Sequence, residues 1–98
     1  MVLAVDEDAS ARGSVAAALP RRYQFIGLPD GSEFMETVEA YEPDLVILGR
    51  NLPGEGGRSL SRRLRGRAEF RHIPVLFLSK TFDERTLRKT IVRLVGRG

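Results

Sequence analysis

The stretch Pro43-Asp44-Leu45-Val46-Ile47-Leu48-Gly49-Arg50-Asn51-Leu52-Pro53-Gly54 decides how the rest of the chain is read. Leu45–Leu48 is an unbroken apolar run, which suits a strand covered on both faces, as in a parallel sheet. The run is entered through Pro-Asp and left through Gly, Asn, Pro and Gly, residues that turn the chain. Three more short apolar runs recur, at Val2–Val5, Tyr23–Leu28 and Val75–Leu78. Between and after them lie segments with helical spacing. Ala11, Val15, Ala18 and Leu19 make one stripe, and Phe34, Val38 and Tyr41 a second. Leu60 and Leu64 make a third, and Leu87, Ile91, Leu94 and Val95 the last. Asp8, Ser32, and either Thr81 with Glu84 or Asp83 alone are placed to cap the first, second and last helices. Strands alternating with helices predict an α/β domain with right-handed crossovers.

Composition narrows the function classes. The 98 residues suffice for one domain, read here as a single unit over 1–98. The chain has no cysteine and one histidine, His72, so disulfides and Cys- or His-rich metal sites are excluded. No apolar run approaches the roughly 20 residues of a membrane span. Met1–Val5 lacks the basic start and length of a signal peptide, so the expected location is cytoplasmic, with no membrane partner. The net charge of +3 conceals an asymmetry: residues 1–48 carry three arginines and nine acids, net −6, and residues 49–98 carry thirteen Lys/Arg and four acids, net +9.

Two clusters could carry chemistry. The first apolar run ends in Asp6-Glu7-Asp8, and ligands of open α/β sheets bind beyond the carboxyl ends of the strands. Adjacent carboxylates there could hold Mg²⁺, a hard cation that prefers oxygen ligands; equally, they could be a helix cap beside solvated acids. The Gly-rich stretch Gly49–Gly57 lacks both the Gly-Lys-Ser/Thr ending of a P-loop and the spacing of a dinucleotide fingerprint, so it reads as a strand-to-helix loop.

Four segments in order resemble the response regulator receiver family. Pro43–Gly54 resembles the family's central Pro-Asp-Leu-Val-x-Leu, Asp, two residues, Leu-Pro-Gly. Asp6-Glu7-Asp8 is similar to its acidic pocket, Pro74–Ser79 to its fourth strand, and Lys80-Thr81-Phe82-Asp83 to the Lys-Pro-Phe stretch that opens its last helix. The resemblance implies a flavodoxin-like three-layer α/β/α fold and a role in two-component signalling. It also implies a metal site built on Asp6, Glu7 and the Asn51 carbonyl, with Ser79 as switch hydroxyl and Lys80 as phosphate-binding lysine.

Two departures from the family pattern decide the expected function. Gly49 stands where the family carries its phosphoacceptor aspartate, and a glycine can neither attack a phosphoryl donor nor ligate a metal. The chain also passes from Ser79 straight to Lys80, where the family inserts a helix and a strand. The expectation is therefore a truncated parallel sheet of four strands, order 2-1-3-4, with about four helices. No catalytic residue, cofactor or metal is expected; Asp6, Glu7, Ser79 and Lys80 are a degenerate pocket, in which Lys80 could pair with Asp6 or Glu7. Losing a covering helix would leave one face of Val75–Leu78 wet, at roughly 1.5–3 kcal/mol per large side chain.

Either the last helix moves to cover that face or another chain does, and the expectation is a homodimer or strand addition by a protein partner, through the exposed edge of the fourth strand or the last helix. The expected interaction surface is Val75, Phe77, Arg58, Arg62 and Arg65. Two alternatives stand beside this phosphorylation-independent pseudo-receiver. One is a phosphoacceptor using a non-standard residue such as Asp6 or Ser79. The other is a nucleic-acid-binding regulator using the arginine-rich helices, weakened by the absence of interleaved aromatics and of a helix-turn-helix pattern.

Overall fold

Each apolar run becomes a strand of a parallel sheet. The computed structural model describes residues 1–78 and 82–96. Its strands are β1 (Val2–Val5), β2 (Phe25–Leu28), β3 (Leu45–Leu48) and β4 (Val75–Phe77), in the order β2-β1-β3-β4. The helices are α1 (Ala9–Ala18), α2 (Phe34–Tyr41), α3 (Gly57–Arg65) and α4 (Glu84–Val95), with one 3-10 turn at Ala68–Phe70. β2 starts later than the apolar run that predicts it, because the Tyr23 amide is committed to the Pro20 carbonyl in a turn.

β1 and β3 are buried at every residue. Their side chains alternate between two cores, as a pleated strand requires. Val2, Ala4, Leu45 and Ile47 pack with Val15 and Ala18 of α1 and Leu87 and Ile91 of α4. Leu3, Val5, Val46 and Leu48 pack with Phe34 and Val38 of α2 and Leu60 and Leu64 of α3. This is a three-layer α/β/α sandwich, with α1 and α4 on one face and α2 and α3 on the other.

β4 ends at Phe77 and α4 begins at Glu84, leaving no room for a further helix and strand between them. α4 instead packs beside α1 and over β3. It thereby covers Leu76 and Leu78, but only on that face.

Helix ends follow local chemistry. The Asp8 carboxylate accepts the Ser10 amide and caps α1, and Asp83 accepts the amide and hydroxyl of Thr86 and caps α4. Ser32 does not cap α2: its own amide donates to Asp30 in an Asx turn, and the helix opens after Glu33 without a side-chain cap. Tyr41 and Leu94 also depart from their stripes, at 58% and 39% exposed, because α2 buries Phe34, Thr37 and Val38 and α4 buries Leu87 and Ile91.

α2 is terminated by Pro43, which bars the preceding residue from right-handed helical geometry. Glu42 turns left-handed, at φ 47°, and its amide bonds the Val38 carbonyl. A side chain pays for that geometry where glycine does not. Glu42→Gly is expected to raise unfolding free energy by about 0.5–1 kcal/mol in urea melts; a loss of stability would show that the left-handed turn is not strained.

The bonds from Thr86 hold the Asp83 carboxyl below its ordinary value of 3.8. Between the folded and ordinary values the unfolded chain binds the proton and the folded chain does not, so stability rises with pH there. The contribution of Asp83 is complete above 3.8 and is lost as pH falls through the lower folded value. Asp83→Ala should flatten the acid limb of the urea midpoint against pH, read by circular dichroism. An unchanged limb would remove the cap from the acid response.

Candidate functional site

The parallel ladder brings the ends of β1 and β3 side by side at the carboxyl edge of the sheet. The Asp6 amide donates to the Leu28 carbonyl at 2.9 Å, and the Gly49 amide to the Val5 carbonyl at 2.7 Å. Backbone bonds thus fix Asp6 and Gly49 as neighbours before any side chain is considered. The Asp6 carbonyl also accepts from the guanidinium of Arg12, on α1.

The Asp6 carboxylate has two distinct oxygens. Oδ1 accepts the Asp8 amide at 2.9 Å, which turns the side chain back over the start of α1. Oδ2 lies where position 49 would carry a side chain: a Cβ built on Gly49 would stand 2.6 Å from it, 2.8 Å from Cγ and 3.3 Å from the Asp6 Cα. Gly49 is itself buried, whereas Glu7, Asp8 and Asn51 are exposed. Among the described residues, no three His, Cys, Asp or Glu side chains come together as a metal-holding group. Ser79 and Lys80, and with them the pairing of Lys80 with Asp6 or Glu7, lie outside the described residues.

A second feature lies on the α3 side of β4. Phe77 is 47% exposed, because α4 covers only the opposite face of its strand. Its ring lies against the start of α3, which comes close to β3 because Gly57 has no side chain: a Cβ there would stand 3.2 Å from the Gly49 carbonyl oxygen. Phe77 forms one wall of an open cleft of about 780 Å³, whose rim carries Arg50, Arg58 and Arg62. Val75, one pleat earlier on the same face, is half-buried against the α2/α3 core.

The arginines of the basic half are used unequally. Arg63 pairs with Glu55 at 2.6 Å, and Arg67 bridges Glu39 at 2.8 Å and Glu69 at 2.7 Å. Those contacts hold the Glu69 carboxyl below its ordinary value, and hold Glu55 low mainly through the Ser59 hydroxyl, with Arg63 second. Arg65 is turned to its own backbone, donating to the carbonyls of Ile73 at 2.7 Å and Arg71 at 3.2 Å, so it clasps the connection from α3 to β4. Among the described residues, the guanidinium groups of Arg50, Arg58 and Arg62 make no hydrogen bond or ion pair.

Of the expected interaction residues, the structure brings Phe77, Arg58 and Arg62 together and sets Arg65 to another task. Arg50 escaped sequence reasoning. It lies on the loop after β3, where no helical period links it to Arg58 and Arg62, and only the packing of α3 on Gly49 closes the gap.

Residues 2–94 match the family described as response regulator receiver domain. The chain is 36% identical over 83 residues to the transcriptional regulatory protein CseB of Streptomyces coelicolor, an alignment covering 84% of this chain and 34% of that protein. It is 33% identical over 84 residues to the sensor histidine kinase TmoS of Ectopseudomonas mendocina, covering 86% of this chain and 9% of that protein. Its fold is similar to that of the chemotaxis response regulator CheY4 of Vibrio cholerae, with TM-score 0.85 and 24% identity over 95% of this chain and 96% of that one. The chain thus spans about a third of the length of one of these two sequence relatives and about a tenth of the other.

The contact between Asp6 and position 49 can be measured. Gly49→Ala must displace the half-buried Asp6 carboxylate that lies against position 49 and is expected to cost about 1–2 kcal/mol in urea melts. In an Asp6→Ala background the same change should cost much less. Equal costs in the two backgrounds would show that the two positions do not compete for space.

Proposed function

This chain belongs to the response regulator receiver domain family, and from that premise we propose that it signals without accepting a phosphoryl group, as a module that binds another protein in a two-component pathway. The observation that carries the reading is Gly49. A receiver of the ordinary pattern needs a carboxylate at this position, and here the backbone is buried with the Asp6 carboxylate folded over it.

The donor set agrees. Position 49 supplies no oxygen from a side chain, and one oxygen of Asp6 is engaged by the Asp8 amide. Mg²⁺ dehydrates reluctantly and demands regular octahedral geometry. The residues present do not fit that ion as the family pattern would hold it, so no step is derived through it, and no catalytic role is assigned.

On this reading residues 1–98 are one receiver unit acting in the cytoplasm; among the described residues no helix is long and apolar enough to cross a membrane. What any longer protein containing this unit does follows from its partners. The nucleic-acid alternative loses ground because Arg63, Arg65 and Arg67 are engaged within the domain.

Incubation with acetyl phosphate and Mg²⁺, followed by intact mass and peptide mapping, tests the proposal. The expected spectrum is that of the unmodified chain. A stoichiometric phosphoryl adduct on Asp6, Ser79 or any other residue would sink it.

A further inference from the structure

The open edge of β4 and the arginine-rimmed cleft lie on the same side of the domain, and together they define what could dock there. The Pro74 carbonyl accepts from Val46, and the Leu78 amide donates to Leu48. In a parallel ladder the groups directed at one neighbour belong to alternate residues. The N–H and C=O groups of Val75 and Phe77 therefore point away from β3, toward the edge where the sheet ends. An edge of this kind is a template for another strand. Beside it stand a half-exposed Phe77 ring and Arg50, Arg58 and Arg62, whose guanidinium groups have no partner among the described residues.

We propose that an extended acidic segment of a partner protein adds to this sheet as a fifth strand along β4. Its carboxylates would face Arg50, Arg58 and Arg62, and its backbone would bond Val75 and Phe77. The proposal rests on the interaction-module reading and gives that partner a chemistry.

Spacing supports it. Arg58 and Arg62 are one helical turn apart, about 6 Å along α3. Alternate residues of a strand, which share a face, are about 6.5–7 Å apart. Acids at every second position of the added strand would thus meet successive arginines, while its intervening residues lie on the α4 side near Leu76.

Charge argues against a second copy of this chain. Two-fold pairing of β4 with itself would bring the end that carries Arg50 and Arg58 to the start of the other β4, which follows Arg71 and His72. Both ends are basic, and like charges across an interface oppose it.

The test uses isotopically labelled protein and a short synthetic peptide of alternating glutamate and valine, with a lysine-for-glutamate peptide as control. The amides of Val75 and Phe77 should exchange freely in the protein alone and become protected as the glutamate peptide saturates. The lysine peptide should not bind. Arg58→Glu with Arg62→Glu, both at exposed positions, should weaken binding about tenfold or more, and added salt should weaken it in the parent. Val75→Pro should abolish protection at Phe77, because it removes an outward N–H and none of the bonds to β3.

Several results would overturn the proposal: affinity indifferent to the arginine substitutions, peptide binding without protection at Val75 and Phe77, or protection that grows with protein concentration alone as a dimer forms. So would a single-stranded oligonucleotide that binds this face and displaces the peptide. Phosphoryl labelling by acetyl phosphate would remove the unphosphorylated reading and leave this one standing; unprotected edge amides would do the reverse.

Discussion

The Gly49 amide donates to Val5 on one side of β3, and the Leu48 carbonyl accepts from Leu78 on the other. These backbone bonds hold the end of the central strand between its two neighbours, and the rest of the arrangement follows from where they put it. They bring Asp6 over Gly49 and set the parity of β4, which sends Leu76 and Leu78 to one core and Phe77 to the opposite face. They also fix the platform on which the first turn of α3 rests through Gly57. A Cβ at 57 would press on the Gly49 carbonyl oxygen at 3.2 Å and require the two backbones to part by a few tenths of an ångström.

Most of the architecture was legible because four apolar runs of strand length alternate with helical stripes, and a run without polar residues has to be covered on both faces. The order β2-β1-β3-β4 came from the resemblance and matches the observed sheet. Element ends were harder to read. Ser32 has the right chemistry for a cap, but Asp30 competes for its amide. Tyr41 has the right period, but the buried stripe of α2 runs through Thr37.

At the functional site, the identity of position 49 was legible and its geometry was not. Nothing in the spelling of Asp6-Glu7-Asp8 says which carboxylate turns back over β3; the Asx bond to the Asp8 amide selects it. The basic half shows the same limit. Sequence counts its charges, but pairing with Glu39, Glu55 and Glu69 and capture of Arg65 by backbone carbonyls appear only in three dimensions. Exposed ion pairs of this kind contribute little to stability. Among the described residues they leave Arg50, Arg58 and Arg62, at the rim of one cleft, without an acidic partner.

The direct passage from β4 to α4 has a consequence for how the domain opens. β4 is three residues long and pairs with β3 alone, and the helix that shields its inner face is the next element in the chain. Strand and helix can therefore open together while β1, β2 and β3 stay paired. Their departure would wet Leu45 and Ile47 together, so it costs far more than terminal fraying and less than global unfolding. Hydrogen exchange across this C-terminal unit should then follow a single opening free energy, with the buried amides of β3 sharing in it on the side that β4 vacates.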